Sequence, residues 1–311
     1  MRIKIIQYIN KSNYKGIICL YSLARTCLAI GILITLLFDS PFMLFPEDFF
    51  RGFDKTLFVN QINFFYLFEY ENLLWAKWIA ILILLTVIFG IFPRITALLH
   101  WWIAFSYNTG TIVVDGGDQI TSILTLMIIP IALFDNRRSH WNDLKDENSA
   151  NFIGKMVSIS TLVLCQIQMS IIYFFAGVEK MKVQEWIDGS AVYYWFNHNI
   201  FGANSLLRYL FEDFFKNQFF VISITWGVML LEILLFAACF MNRKNKYIFF
   251  IIGISFHFVI LLTHGLISFF FAMAGGLILY LLPSKRAIEI MSNIRNYDTR
   301  LKLHSTREAK I

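Results

Sequence analysis

Eight apolar runs dominate the chain, at residues 16–38, 75–92, 95–110, 119–134, 153–176, 219–241, 247–262 and 266–282. Runs of about 17 to 25 residues match the length a helix needs to cross about 30 Å of hydrocarbon. In hydrocarbon every backbone N–H and C=O must be satisfied within the protein, which a helix does by itself. The expected fold is an all-α polytopic membrane helix bundle of about eight transmembrane helices. With 58% hydrophobic and 15% charged residues among 311, no length remains for a soluble domain beyond a short basic tail at 286–311.

Lysine and arginine in short connections collect on the cytoplasmic side. One set of connections holds Arg2, Lys4, Lys11, Lys15, Arg94, Arg137, Arg138, Lys145, Lys155, Arg243, Lys244, Lys246 and the cations from Lys285 to Lys310. In the other set Arg51, Lys55, Lys77, Lys180, Lys182, Arg208 and Lys216 are diluted by thirteen acids, among them Asp39, Asp115, Asp118, Glu179 and Glu185. Both termini are therefore expected in the cytoplasm, with the chain in the cell membrane. The net charge of +6 then belongs to a rim facing anionic membrane lipids, where each cation gains about 1 kcal/mol. Nucleic-acid binding would need a soluble basic face with interleaved aromatics, which this pattern lacks.

The N-terminal run is long enough to span and no small-residue cleavage site follows it, so it reads as a retained helix. Cys19, Cys27, Cys165 and Cys239 fall within expected spans without a CxxC spacing, as helix-packing residues do. Two long aromatic-rich segments, 39–74 and 177–218, lie on the outer side. Residues 57–73 and 204–215 are the best interfacial or re-entrant pieces within them. No internal repeat or matched pair of broken helices supports a transporter.

Charged groups inside spans face a bundle interior or a wet cavity, because lipid exposure is expensive. Arg25, His100, Glu232 and His257 are such groups, with His264 at an outer helix end. A Glu232–Arg25 bridge is one expectation. His257 and His264 are two turns apart, too far to share a metal ion, and no HxxxH spacing occurs. Asp115-Gly116-Gly117-Asp118-Gln119 reads as a tight turn, with glycines at positive φ and Asp118 capping the next helix. Alternatively its acids face a lysine across the bundle, for which Lys180 is the natural partner.

The segment 171–202 runs from an apolar helix into charged and aromatic chain without reaching a solvated loop. Its core is Tyr173-Phe174-Phe175-Ala176-Gly177-Val178-Glu179-Lys180-Met181, with Trp186 and Gly189 following. Lys182, His198 and the Asp115–Gln119 motif complete the set of outer polar groups. These motifs resemble the HTTM-type membrane domain shared by vitamin K-dependent γ-carboxylases and bacterial relatives. The longer string GVEKMKVQEWIDGSAVYYWFNHNIFG is most similar to the B component of sporulation-delaying-protein systems, the SdpB family.

The HTTM resemblance implies that Lys180 matches a lysine base that deprotonates a membrane quinol, making a quinone or quinol a cofactor by resemblance only. The sequence departs from the carboxylases at Glu179, where they carry a second basic residue, and by one extra residue before Trp186. It also lacks a large lumenal domain, so glutamate carboxylation is not carried over. The SdpB resemblance implies work with a small soluble partner on a secreted peptide precursor. The leading expectation is a membrane factor for antimicrobial peptide maturation. Lys180 is its candidate base and Glu179, Asp115 and Asp118 stand beside it. Lys182, Trp186, His198, His257, His264, Arg25 and Glu232 are the pocket candidates. A lysine acts as a base near neutral pH only where its ammonium loses support by burial or a neighbouring cation. In a purely structural alternative Lys180 and Lys182 snorkel to the interface and pair with Glu179 and Glu185; the other functional readings are a non-catalytic scaffold that presents the precursor's apolar segment and a transporter or immunity-type channel.

Overall fold

The computed structural model describes residues 13–54, 56–144 and 152–308, with side chains to residue 297. Arg2, Lys4, Lys11, Lys55, Lys145 and Lys310 lie outside the described residues. The fold is an all-α polytopic bundle. Its longer helices are α1 (Tyr14–Phe38), α2 (Leu73–Ile88), α3 (Pro93–Gly110), α4 (Gly116–Leu133), α5 (Phe152–Lys180), α6 (Ser205–Lys216), α7 (Gln218–Ala237), α8 (Arg243–His264), α9 (Ile267–Leu281) and α10 (Ser284–Glu308).

A helix stands at each of the eight expected positions. Six of them, α1, α2, α4, α5, α7 and α8, are long and apolar enough to cross a membrane once the 3-10 turns beside α2 and α7 are included. The other two differ for physical reasons. Helix α3 carries His100, Ser106, Asn108 and Thr109 among its apolar residues. Helix α9 has 15 residues, about 22 Å at 1.5 Å per residue, and is sheathed in protein from Ala272 to Leu281.

Helices α1 and α9 form the axis, and small residues let them touch. A Cβ on Gly275 would lie 2.9 Å from Leu28 and 3.1 Å from the Ala24 carbonyl, and one on Gly31 would lie 3.1 Å from the Ser268 carbonyl. Around this axis are two cores. One joins α1, α4, α5 and α9 through Leu28, Leu124, Met169 and Leu277. The other joins the later turns of α1 to α2, α3 and the segment after α1 through Leu36, Phe45, Leu84 and Tyr107.

The segment between α1 and α2, including 57–73, is a series of short helical pieces. Buried Asn63 breaks it, because its amide must reach the Ser106 carbonyl at 2.8 Å and Thr109 Oγ1 at 3.1 Å on α3. By contrast 204–215 does form a helix, α6, which buries none of its residues and exposes Leu206, Tyr209, Leu210 and Phe214. The expected tail begins as α10, whose Ala287 and Met291 are buried in the α1 core.

Candidate functional site

The Ala176-Gly177 pair places Lys180. A Cβ on Gly177 would come 2.7 Å from Ile233 Cδ1 and 3.6 Å from Glu232 Cβ, so glycine lets α5 pack closely on α7. One turn later Lys180 Nζ donates to Glu232 Oε1 at 2.8 Å and to the Ala176 carbonyl at 3.1 Å. The same nitrogen lies 5.2 Å from the centre of the Trp186 ring, within cation–π range. Glu232 is fourteen residues into α7, about 21 Å from its first residue, so the pair is set deep along that helix. This geometry corrects two expected pairings. Glu232 does not bridge Arg25, and the acids at Asp115 and Asp118 are not the partners of Lys180.

Beyond Lys180 the chain turns back along α7. The Ile187 carbonyl accepts from Trp226 Nε1 at 3.3 Å, Gly189 at φ +83° packs against Ile222, and the Val192 N–H donates to Thr225 Oγ1 at 3.3 Å. Irregular backbone at such depth is tolerated where it lines a cavity. Here it walls one of about 1070 Å³, between α1, α4 and the start of α9 on one side and α5, α7 and α8 on the other. Lys180, Glu232, Trp186, His257, His264, Asp115 and Asp118 all line it, among mostly apolar and aromatic neighbours.

His257 receives help that the sequence reading missed. Tyr173, fully buried on α5, meets His257 Nε2 at 2.9 Å. Its hydroxyl is the donor if Nε2 accepts, which leaves His257 Nδ1, a buried atom without a partner, as the protonated nitrogen. Tyr173 sits one helical turn before Gly177, so a tyrosine at that spacing was the available signal. At the mouth His264 Nδ1 donates to the Phe201 carbonyl at 2.7 Å, and Gly265 ends α8 at φ +71°.

The two acids have local duties. Asp115, rather than Asp118, caps α4, accepting from the N–H groups of Gly117 and Asp118, while Asp118 accepts from the Asp115 N–H in return. Asp115 also accepts from Ser268 Oγ at 3.0 Å, tying α4 to α9. Neither Gly116 nor Gly117 has positive φ. Gly117 is instead a contact residue, since a Cβ there would sit 2.6 Å from Phe269 Cα.

Other candidates fall elsewhere. Glu179 and Lys182 bond each other at 2.7 Å on an exposed surface, and Lys182 is therefore no second cation for Lys180. His198 Nδ1 accepts from the N–H groups of Ile200 and Phe201, each at 3.2 Å, and shapes that turn. Arg25, wholly buried on α1, points to the opposite end of the bundle. It donates to His140 Nδ1 at 3.2 Å and to Thr96 Oγ1 at 2.5 Å. Because arginine only donates, His140 Nδ1 accepts and Nε2 carries the proton toward Thr26, 3.3 Å away. Arg137, bonded to Asp135, also holds the His140 carbonyl. Burial first, then Arg25, Arg137 and His100, holds the His140 imidazole well below its usual protonation range. Among the described residues no His/Cys/Asp/Glu cluster could hold a metal ion.

No family model matches the chain and no solved structure matches it. Two Bacillus subtilis (strain 168) proteins do. One, named YitO and described as uncharacterized, is 35% identical over 272 residues, 86% of this chain and 87% of its own length. The other, sporulation-delaying protein SdpB, is 35% identical over 269 residues, 86% of this chain and 82% of its own length. With 35% identity over 86% of its length, the chain belongs to the SdpB family of membrane proteins.

Proposed function

We propose that this protein is an integral membrane factor for the production of a secreted, sporulation-delaying-type antimicrobial peptide. It acts on the precursor at the outer face with Lys180 as a base. Kinship with a protein named for sporulation delay supports the pathway. The observation that carries the site is Lys180 itself, held by Glu232 at the deep end of a cavity with apolar walls. In this reading the cavity end faces outward, both termini are cytoplasmic, and a small soluble partner works with the chain.

The donor set fits a membrane quinol. Its apolar ring would lie among the aromatic residues, and a ring hydroxyl would meet Lys180, Glu232 or His257. When bound, a quinol supplies a reducing and proton-donating group; the chain's residues hold it, exclude water and receive the proton. Replacing Lys180 by alanine and measuring mature peptide by mass spectrometry, at matched protein abundance, tests the base. Loss of mature peptide is the expected result. Full maturation would remove the catalytic role and leave the second reading, a scaffold that holds the precursor's apolar segment, for which the cavity's size and walls speak.

A further inference from the structure

Glu232 is built into the floor of the cavity in an unusual state for a carboxylate. Oε1 accepts from Lys180, while Oε2 is buried and has no partner. Among the described residues, Lys180 is the cation within ion-pair range of Glu232. Tyr173 on α5 and His257 on α8, bonded to each other, stand beside the pair, and the ionisable groups farther along the cavity wall are Asp39, Tyr107, Asp115, Asp118 and His264. Lys182 and Glu179 are satisfied by each other outside the cavity. The Ala176 carbonyl and the Trp186 ring also touch Lys180, but among the described residues no second charged group stands within ion-pair range of Glu232.

A lone ion pair depends on polarisable surroundings, and removing them makes separated charge expensive. Moving one proton from nitrogen to oxygen cancels both charges together. We propose that Glu232 is the proton acceptor for Lys180 when an apolar ligand fills the cavity and displaces its water. One N–H bond of the Lys180 ammonium breaks, an O–H bond forms on Glu232, and the electron pair left on Nζ makes Lys180 a neutral amine. No ion enters or leaves, so the base exists only in the occupied cavity. The inference rests on the reading of Lys180 as a base. It accounts for a base standing beside a carboxylate, which in water would hold the proton on the lysine.

Phenyl isothiocyanate tests it, being an apolar ring that reacts with neutral amines. The full chain in lipid nanodiscs is labelled at neutral pH, and modified lysines are located by mass spectrometry, with exposed Lys182 as the internal reference. Lys180 is expected to label at least about tenfold faster than Lys182. Glu232→Gln is expected to bring Lys180 to the Lys182 rate or below, and Glu232→Asp to retain most of the excess. A carboxylate that merely holds the ammonium predicts the opposite sign, since its removal would free the amine. Lys180 labelling no faster than Lys182 in the parent, or unchanged or faster labelling in the Gln variant, overturns the proposal. The parent ratio decides the matter even if the Gln variant fails to fold. Maturation by Lys180→Ala beside the expected labelling would remove only the catalytic reading. Loss of maturation in Lys180→Ala beside unchanged labelling in Glu232→Gln would remove only the proton acceptor.

Discussion

Gly177 carries no functional group, yet it sets the distance between the two residues that do. Its missing Cβ lets α5 approach Ile233 and Glu232 on α7. Gly177→Leu should separate the helices, cost about 1–3 kcal/mol as overpacking does, and lower both the melting temperature in detergent and the yield of mature peptide. His140 makes a second prediction at this scale. Its charged form is disfavoured in the fold, so the stability it contributes is complete above the unfolded histidine value of about 6.5. That stability is lost as pH falls below this value, because the unfolded chain then binds the extra proton. Melting temperature should drop on acidification from neutral pH toward pH about 5, and His140→Gln should flatten the drop. Their places inside or at the end of apolar runs marked Lys180, Glu232 and His257 as chemistry-bearing residues. Those places did not reveal the pairing, because a partner fifty residues away depends on how two helices are rotated about their axes. His140 was invisible for another reason. It lies in a polar connection that looks solvated, and its bonds to Arg25 and Thr26 of α1 make it a core residue.

Helix α4 shows how an element can be legible while its motif is misread. The apolar run gave its position, and the Asp115–Gln119 string gave its start. The glycines, however, serve contact rather than turning, since Gly117 meets Phe269 of α9 and Asp115 meets Ser268. Asp115→Ala should cost about 1 kcal/mol, the usual value of a lost N-cap, measured as a shift in the denaturation midpoint. Gly117→Ala should cost more despite adding one methyl group, because the obstruction is backbone and cannot rotate away. Equal losses would mean that α4 and α9 are free to move apart. Helix α9 shows the converse. Its apolar run is plain, but its shortness and its burial follow from the helices around it and not from its own composition.

At the scale of the molecule the bundle was legible from run lengths alone, because hydrocarbon leaves the backbone so few solutions. The cavity was not, since its walls come from two groups of helices that meet only in three dimensions. Orientation remains a matter of charge, and it yields a direct prediction. A cysteine at Asn197 should react with an impermeant maleimide added outside cells, and one at Asn142 should react only after permeabilisation. The reverse pattern would turn the cavity toward the cytoplasm and remove the outer-face reading. The pairing of α1 with α9 also bears on biogenesis. Helix α1 is synthesised well before α9, where Gly31 meets Ser268 and where Ala24 and Leu28 meet Gly275. Until α3 and the loop after α4 arrive, Arg25 stands in the bilayer without Thr96 or His140. A chain ended before residue 267 would leave the side of α1 that bears Ala24, Leu28 and Gly31 without its α9 partner, and it is expected to be degraded faster than the full chain in a pulse-chase experiment.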